Sequence, residues 1–227
     1  MIIEININKY ALKLKIDKMS KEDMKIIVVE RDKLFGEEYF EGFKHHEEFD
    51  YEKRILNNLK VMRRGDAEVD QSHKQPIGYM LIVNPKTKKI FAYLRSGEGG
   101  ENRLHGKWSW GVGGHIEPFD NIENVNPIKE SMMRELKEEI EITGEILGME
   151  VLGYVNYDTD DVGRVHFGIL YLIEIDGEVK PIDSEIEMGG LMSFEELRNI
   201  LDDDNFVVET WSEIAVEPLK IYFDSLE

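Results

Sequence analysis

The segment that most constrains the fold runs from Met133 to Ile142, Met-Arg-Glu-Leu-Lys-Glu-Glu-Ile-Glu-Ile. Placed on a helix at about 100° per residue from Arg134, Glu138 falls at about 40°, Glu135 at about 100° and Glu139 at about 140°. Three carboxylates therefore share one face. Met133, Leu136 and Ile140 fall between about 200° and 260°, giving an opposite apolar side that can bury against a sheet. The chain must supply that apolar surface while presenting the acids outward.

Like charges about 4 Å apart repel by roughly 4 kcal/mol at an effective dielectric of 20. Three carboxylates in one pocket need cations. Hard oxygen ligands suit Mg²⁺ or Mn²⁺, which keep waters and accept phosphate oxygens as remaining ligands. A phosphate ester or anhydride is the implied substrate. Glu135 to Glu139 alone would describe a solvated helix face equally well. The metal reading gains from the turn just upstream, Gly113-Gly114-His115-Ile116-Glu117-Pro118-Phe119-Asp120.

Together these residues resemble a Nudix box, whose pattern is Gly, five residues, Glu, seven residues, then Arg-Glu-(apolar)-x-Glu-Glu-x-Gly-(apolar). Gly114, Arg134, Glu135, Leu136, Glu138, Glu139 and Ile142 match it. There are three departures. Asp120 stands where the first Glu belongs, thirteen residues instead of seven separate it from Arg134, and Glu141 replaces the final Gly. Asp keeps the charge with a shorter reach. The extra residues, within 121–128, can loop out at little entropic cost, and Pro127 suits a helix start. Gly144 can replace the missing cap if the helix runs on that far.

The resemblance implies an α+β fold, a Nudix-type α/β/α sandwich with a mixed central sheet, over about residues 76–202. It also implies a hydrolase that cleaves a phosphoanhydride in a nucleoside-diphosphate-linked or similar small diphosphate substrate. Carried over by position, Glu135, Glu138 and Glu139 would be metal ligands for Mg²⁺ or Mn²⁺, assisted by the Gly114 carbonyl. Arg134 would hold the carboxylates in register by charge-assisted bonds. Glu138 is the first candidate to deprotonate water, with Glu135 next, and the box does not settle the choice. Glu185, ahead of Glu187, is the candidate for a further acidic ligand. Arg95, Arg103, His115 and Asp120 are candidate substrate contacts.

Two other readings stay open. His105-Gly106-Lys107-Trp108 is also similar to isopentenyl diphosphate isomerases, but those use a Cys and this chain has none. The other is a catalytically silent nucleotide-binding or interaction module, although such proteins usually lose box carboxylates.

The chain has 227 residues and a net charge of −19, which argues against nucleic acid and anionic membranes as partners. With no Cys, disulfides and thiolate chemistry are excluded. No apolar run approaches a membrane span, and the N-terminus lacks the apolar block of a signal peptide. A cytoplasmic protein is the simplest expectation.

Residues 1–75 are expected to form an N-terminal, β-rich extension to a catalytic domain at 76–227. Alternating runs over 2–16 suggest a hairpin, whose apolar face could cover its own domain or a homodimer partner. Met24 to Glu30 reads as a strand, Tyr51 to Leu59 as a short helix, and Arg63 to Gln75 as a polar loop or joint. Ile77 to Val83 and Ile90 to Arg95 read as a hairpin. Ile146 to Tyr157 and Arg164 to Ile175 read as two long apolar segments, with both faces of the latter covered, as in a sheet between helices. Ser193-Phe194-Glu195-Glu196 has capping-box spacing. A final helix carries Val208, Trp211, Ala215, Leu219 and Tyr222, with Pro218 expected to kink it. His166 reads more readily as a satisfied structural histidine than as a substrate contact.

Overall fold

The structure is a computed structural model that describes residues 20–97, 102–121 and 125–226. The expected hairpin over residues 2–16 lies outside them. In chain order the first part contains β1 (Lys25–Glu30), α1 (Arg31–Phe35), β2 (Gly42–His45), α2 (Tyr51–Asn57), β3 (Lys60–Arg63) and α3 (Arg64–Ala67). The β-branched run in β1 forms a strand as expected, and Asp50 starts α2 by accepting from the Lys53 N–H at 2.9 Å. Then come β4 (His73–Asn84), β5 (Lys89–Arg95), β6 (Lys107–Ser109) and α4 (Pro127–Glu139). The chain closes with β7 (Ile140–Ile142), β8 (Ile146–Asn156), β9 (His166–Ile175), β10 (Val179–Pro181), β11 (Ile186–Ser193), α5 (Phe194–Asp202), β12 (Val207–Val208) and α6 (Thr210–Asp224).

The main sheet runs β12-β6-β5-β4-β9-β8-β2, with β11 added on β5 and β1 bridging β3 to β4. It is mixed: β4 is parallel to β9 and β12 to β6, while the other pairs are antiparallel. A second pair, β7 with β10, lies apart from it.

Period-two alternation sorts side chains to two cores. Met80 and Ile82 of β4 join Phe167, Ile169, Tyr171 and Ile173 of β9 under Ile128, Met132 and Leu136 of α4. Tyr79, Leu81 and Val83 join Leu170 and Leu172 under Leu197 and Ile200 of α5 and Ala215 and Leu219 of α6. Both faces of β9 are therefore covered, which its double apolar pattern requires. Each fully buried Leu, Ile or Met contributes roughly 1.5–3 kcal/mol, so α4 is anchored by its apolar stripe and its acids face away from the sheet. The capping box at Ser193 and Glu196 forms in both directions, at 2.7 and 3.2 Å.

Residues ahead of β4 share the first core. Ile27, Val29, Leu34, Phe35, Tyr51 and Ile55 pack with Met80 and Phe91, and the Ile27 N–H donates to the Ile116 carbonyl at 2.8 Å. Two local expectations change. The polar stretch 63–75 is no open loop: it holds α3 and the start of β4, where buried Lys74 pairs with Val29 of β1 and buried Gln75 opens the parallel register with β9. Helix α4 stops at Glu139, so Gly144 caps nothing; Ile140 turns to extended backbone and pairs with Pro181 in β10. The expected final helix forms as α6, with Pro218 buried inside it.

Strands β4 and β5 pair only at Val83–Ile90 and Asn84–Lys89. Beyond that, residues 111–115 lie along β4, with bridges Met80–Val112 and Ile77–His115. Gly113 allows this approach, because a Cβ there would sit 2.3 Å from the Gly78 carbonyl oxygen. The wedge carries the Gly-Gly turn to the N-terminal end of β4, beside α4.

Candidate functional site

Helix α4 starts at Pro127 with the Asn126 side chain accepting from the Ile128 N–H at 2.9 Å. Two to three turns later it delivers Arg134, Glu135, Glu138 and Glu139 to a cavity of about 500 Å³, which Gly113, Gly114, His115 and Glu117 also line. The four α4 side chains thus meet as the helical angles require. Gly114 is a glycine for space: its φ is not in the left-handed region, but a Cβ would lie 2.4 Å from the Glu135 carboxyl carbon.

Arg134 organises the acids. Its Nη1 donates to Glu135 Oε1 at 2.5 Å and lies 3.5 Å from Glu138 Oε2; its Nη2 donates to the His115 carbonyl at 2.9 Å and to Asp120 Oδ2 at 3.1 Å. Asp120 also accepts from the Glu117 N–H at 2.8 Å and is only 4% exposed. The structure therefore places Asp120 among the protein's own groups, not at the cavity surface where it was expected. Asp120 is absent from the cavity lining, because its short side chain is spent tying the turn to Arg134.

Glu139, Glu117 and Glu135 are held against their charged form. Burial, reinforced by Glu135, pushes Glu139 up to about 8, and burial pushes Glu117 up to about 7 despite Arg134. Glu135 is raised by burial as well, against the pull of Arg134. Glu138, with 52% of its side chain exposed, is the most open of the three α4 acids. A divalent cation would supply the missing charge, and Glu135, Glu138 and Glu139 offer an all-oxygen donor set of the kind that suits Mg²⁺ or Mn²⁺.

Cations share the cavity. Arg95 and Arg103 both line it, but each is braced: the Arg95 Nε donates to Glu209 Oε1, and the Arg103 Nη2 donates to Glu68 Oε2 at 2.6 Å. Lys21, Arg64 and Lys107 line it too. Glu185 is a lining residue, paired with Lys21 at 2.6 Å, whereas Glu187 is not. His115 lines the cavity with its Nε2 2.7 Å from Gln75 Oε1, and His166 joins it, 3.3 Å away between Nε2 atoms.

Several lining residues were beyond sequence reasoning. Glu209 and Trp211 arrive from the start of α6, which read only as packing, and Tyr79 meets Trp211 edge to face at 5.5 Å. Lys21 and Arg64 come from the stretch ahead of β4, which had no motif. Glu117 did have a signal, since it lies inside the Gly-Gly turn.

A family model for the NUDIX domain matches residues 74–211. Protein YmaB of Bacillus subtilis (strain 168) is 35% identical over 212 residues, covering 89% of this chain and all of that protein. The crystal structure of Tm1382, described as a candidate Nudix hydrolase, superposes with a TM-score of 0.71 at 25% identity, covering 88% of this chain and 99% of that one.

Proposed function

This chain belongs to the Nudix family and is a hydrolase acting on pyrophosphate bonds, and from that premise we propose divalent-metal-dependent cleavage of a small nucleoside-diphosphate-linked substrate. The observation that carries the reading is the convergence of Glu135, Glu138 and Glu139 in a cavity that also holds Arg95, Arg103, Arg64 and Lys107. Acids gather the metal, and cations gather the anionic substrate that comes with it.

Mg²⁺ or Mn²⁺ held by Glu135, Glu138 and Glu139 would neutralise diphosphate charge and polarise a P–O bond. Glu138, the most exposed of the three, is the lead group to take the proton of an attacking water, with Glu135 next. Arg134 positions these acids and stays off the substrate, since its guanidinium is occupied by Glu135, Asp120 and the His115 carbonyl. Arg95 and Arg103 meet phosphate oxygens from fixed positions, because Glu209 and Glu68 brace them. Trp211, Tyr79 and Leu104 offer an apolar wall for the remainder of the substrate.

The test is phosphate or mononucleotide release from a panel of ADP-ribose, dinucleotides and nucleoside triphosphates, with Mg²⁺ or Mn²⁺ and an EDTA control. EDTA-sensitive turnover of at least one compound is expected, falling by about 10²-fold or more in Glu138→Gln with an unchanged melting temperature. Turnover that survives both EDTA and Glu138→Gln would overturn the reading.

A further inference from the structure

The parallel register of β4 and β9 sets Gln75 opposite His166, and the wedge along β4 brings His115 to the same end. Glu68, just after α3, reaches this point from the other side. Its Oε1 lies 3.8 Å from His115 Nε2 and 4.0 Å from His166 Nε2, and the two nitrogens are 3.3 Å apart. From these observations we propose that Glu68, His115 and His166 form a second metal site, separate from the acids of α4, that takes a transition-metal ion of the Zn²⁺ type.

A triangle with those three sides has a centre about 2.2 Å from every corner, close to the Zn–N and Zn–O bond lengths of about 2.0–2.2 Å. An ion can therefore reach all three atoms with shifts of only a few tenths of an ångström. Generic clustering of polar side chains does not require that match.

The surroundings orient the ligands in the way metal sites require. His166 Nδ1 is 2.7 Å from the Val162 carbonyl, which can only accept, so the ring proton sits on Nδ1 and the lone pair on Nε2. Glu68 Oε2 accepts from Arg103 at 2.6 Å, which turns Oε1 toward the histidines. His115 Nε2 bonds Gln75 Oε1 without metal; metal binding moves that proton to Nδ1 or releases it to solvent.

Gln75 supplies the independent sign of a missing ligand. It is 1% exposed, its Oε1 touches the cluster, and its Nε2 has no hydrogen-bond partner among the described residues. A buried amide N–H left without a partner is destabilising, so a group that accepts from it is favoured here. A water carried on the fourth position of the metal would accept from it. Both histidines line the substrate cavity, so that position can also be filled from there by an anionic oxygen.

Chemistry and charge choose the metal. Two imidazoles disfavour Mg²⁺, and Arg64 Nε lies 3.6 Å from Glu68 Oε1 with Arg103 on the other oxygen. These positive neighbours work against any weakly held cation, so only an ion with strong affinity for imidazole stays.

The full chain, stripped with chelator, is titrated with Zn²⁺ in excess Mg²⁺ without substrate, and Co²⁺ is added to a second sample for its visible spectrum. One Zn²⁺ per chain is expected, with the intense bands of four-coordinate Co²⁺. Glu68→Gln and His166→Gln should weaken Zn²⁺ by about 100-fold or more, with melting temperature as the folding control, while Glu139→Gln leaves Zn²⁺ binding unchanged. No Zn²⁺ bound to the unsubstituted chain, or only six-coordinate Co²⁺ spectra, overturns the proposal without relying on any variant. Binding that survives Glu68→Gln and His166→Gln, or is lost in Glu139→Gln, also overturns it by assigning the ion to the acids of α4.

Discussion

Replacing Gly114 with Ala tests whether the Gly-Gly turn exists to let Glu135 approach. The added Cβ would sit 2.4 Å from both the carboxyl carbon and Oε1 of Glu135, where ordinary contacts begin at 3.4 Å, so the carboxylate must retreat by about 1 Å. Arg134 holds that oxygen at 2.5 Å and cannot follow freely, being tied to Asp120 and the His115 carbonyl. A displacement of about 1 Å at a reacting centre costs on the order of 10²-fold in rate. Stability should barely change: Gly114 is not left-handed, so Ala stiffens the unfolded chain by about 0.4–1 kcal/mol, which offsets part of the local crowding. The assay pairs turnover of the best substrate with a Mn²⁺ titration read by water proton relaxation. A loss of about 10²-fold in rate and weaker Mn²⁺ binding, at a melting temperature within a few degrees of the unsubstituted chain, is expected. Unaltered turnover and Mn²⁺ affinity would refute the reasoning.

Arg134→Lys keeps the charge but loses the fork that bonds Asp120, Glu135 and the His115 carbonyl together; thermal melts should show a loss of about 2 kcal/mol and assays about 10²-fold lower activity. Lys74 is fully buried, and burial lowers it to about 8 although Asp158 pulls the other way, so the unfolded chain holds the extra proton between about pH 8 and about pH 10.5. Stability relative to Lys74→Met should therefore rise with pH across that window, as read by urea midpoints; a flat difference would contradict it. Asp158 feels burial upward, but Arg31 and Lys74 bring it down to about 2, so its contribution is present above about pH 4 and lost as pH falls toward 2. Asp158→Asn should remove that segment of the acid unfolding curve.

The sequence by itself determined the helix, its acid face and its anchoring side, because a 3.6-residue period and a 2-residue period leave distinct marks on a linear chain. Leu136 and Ile140, expected on the apolar side, are buried, while Met133 beside them is only partly so and the unforeseen Met132 takes its place in the core; Glu135, Glu138 and Glu139 had to stand together wherever the helix went. The strands around β9 were legible for the same reason. Asp120 shows where local pattern fails: its place in the motif pointed to the cavity, but a shorter side chain reaches Arg134 and the Glu117 N–H instead. The stop of α4 at Glu139 was decided by β10, which pairs with residues 140–142 from some forty positions away in sequence. Glu68, Gln75, His115 and His166 carry no common motif either. Their meeting is set by the parallel β4–β9 register and by the wedge at Gly113, and such pairings depend on contacts distant in sequence, which no local period encodes.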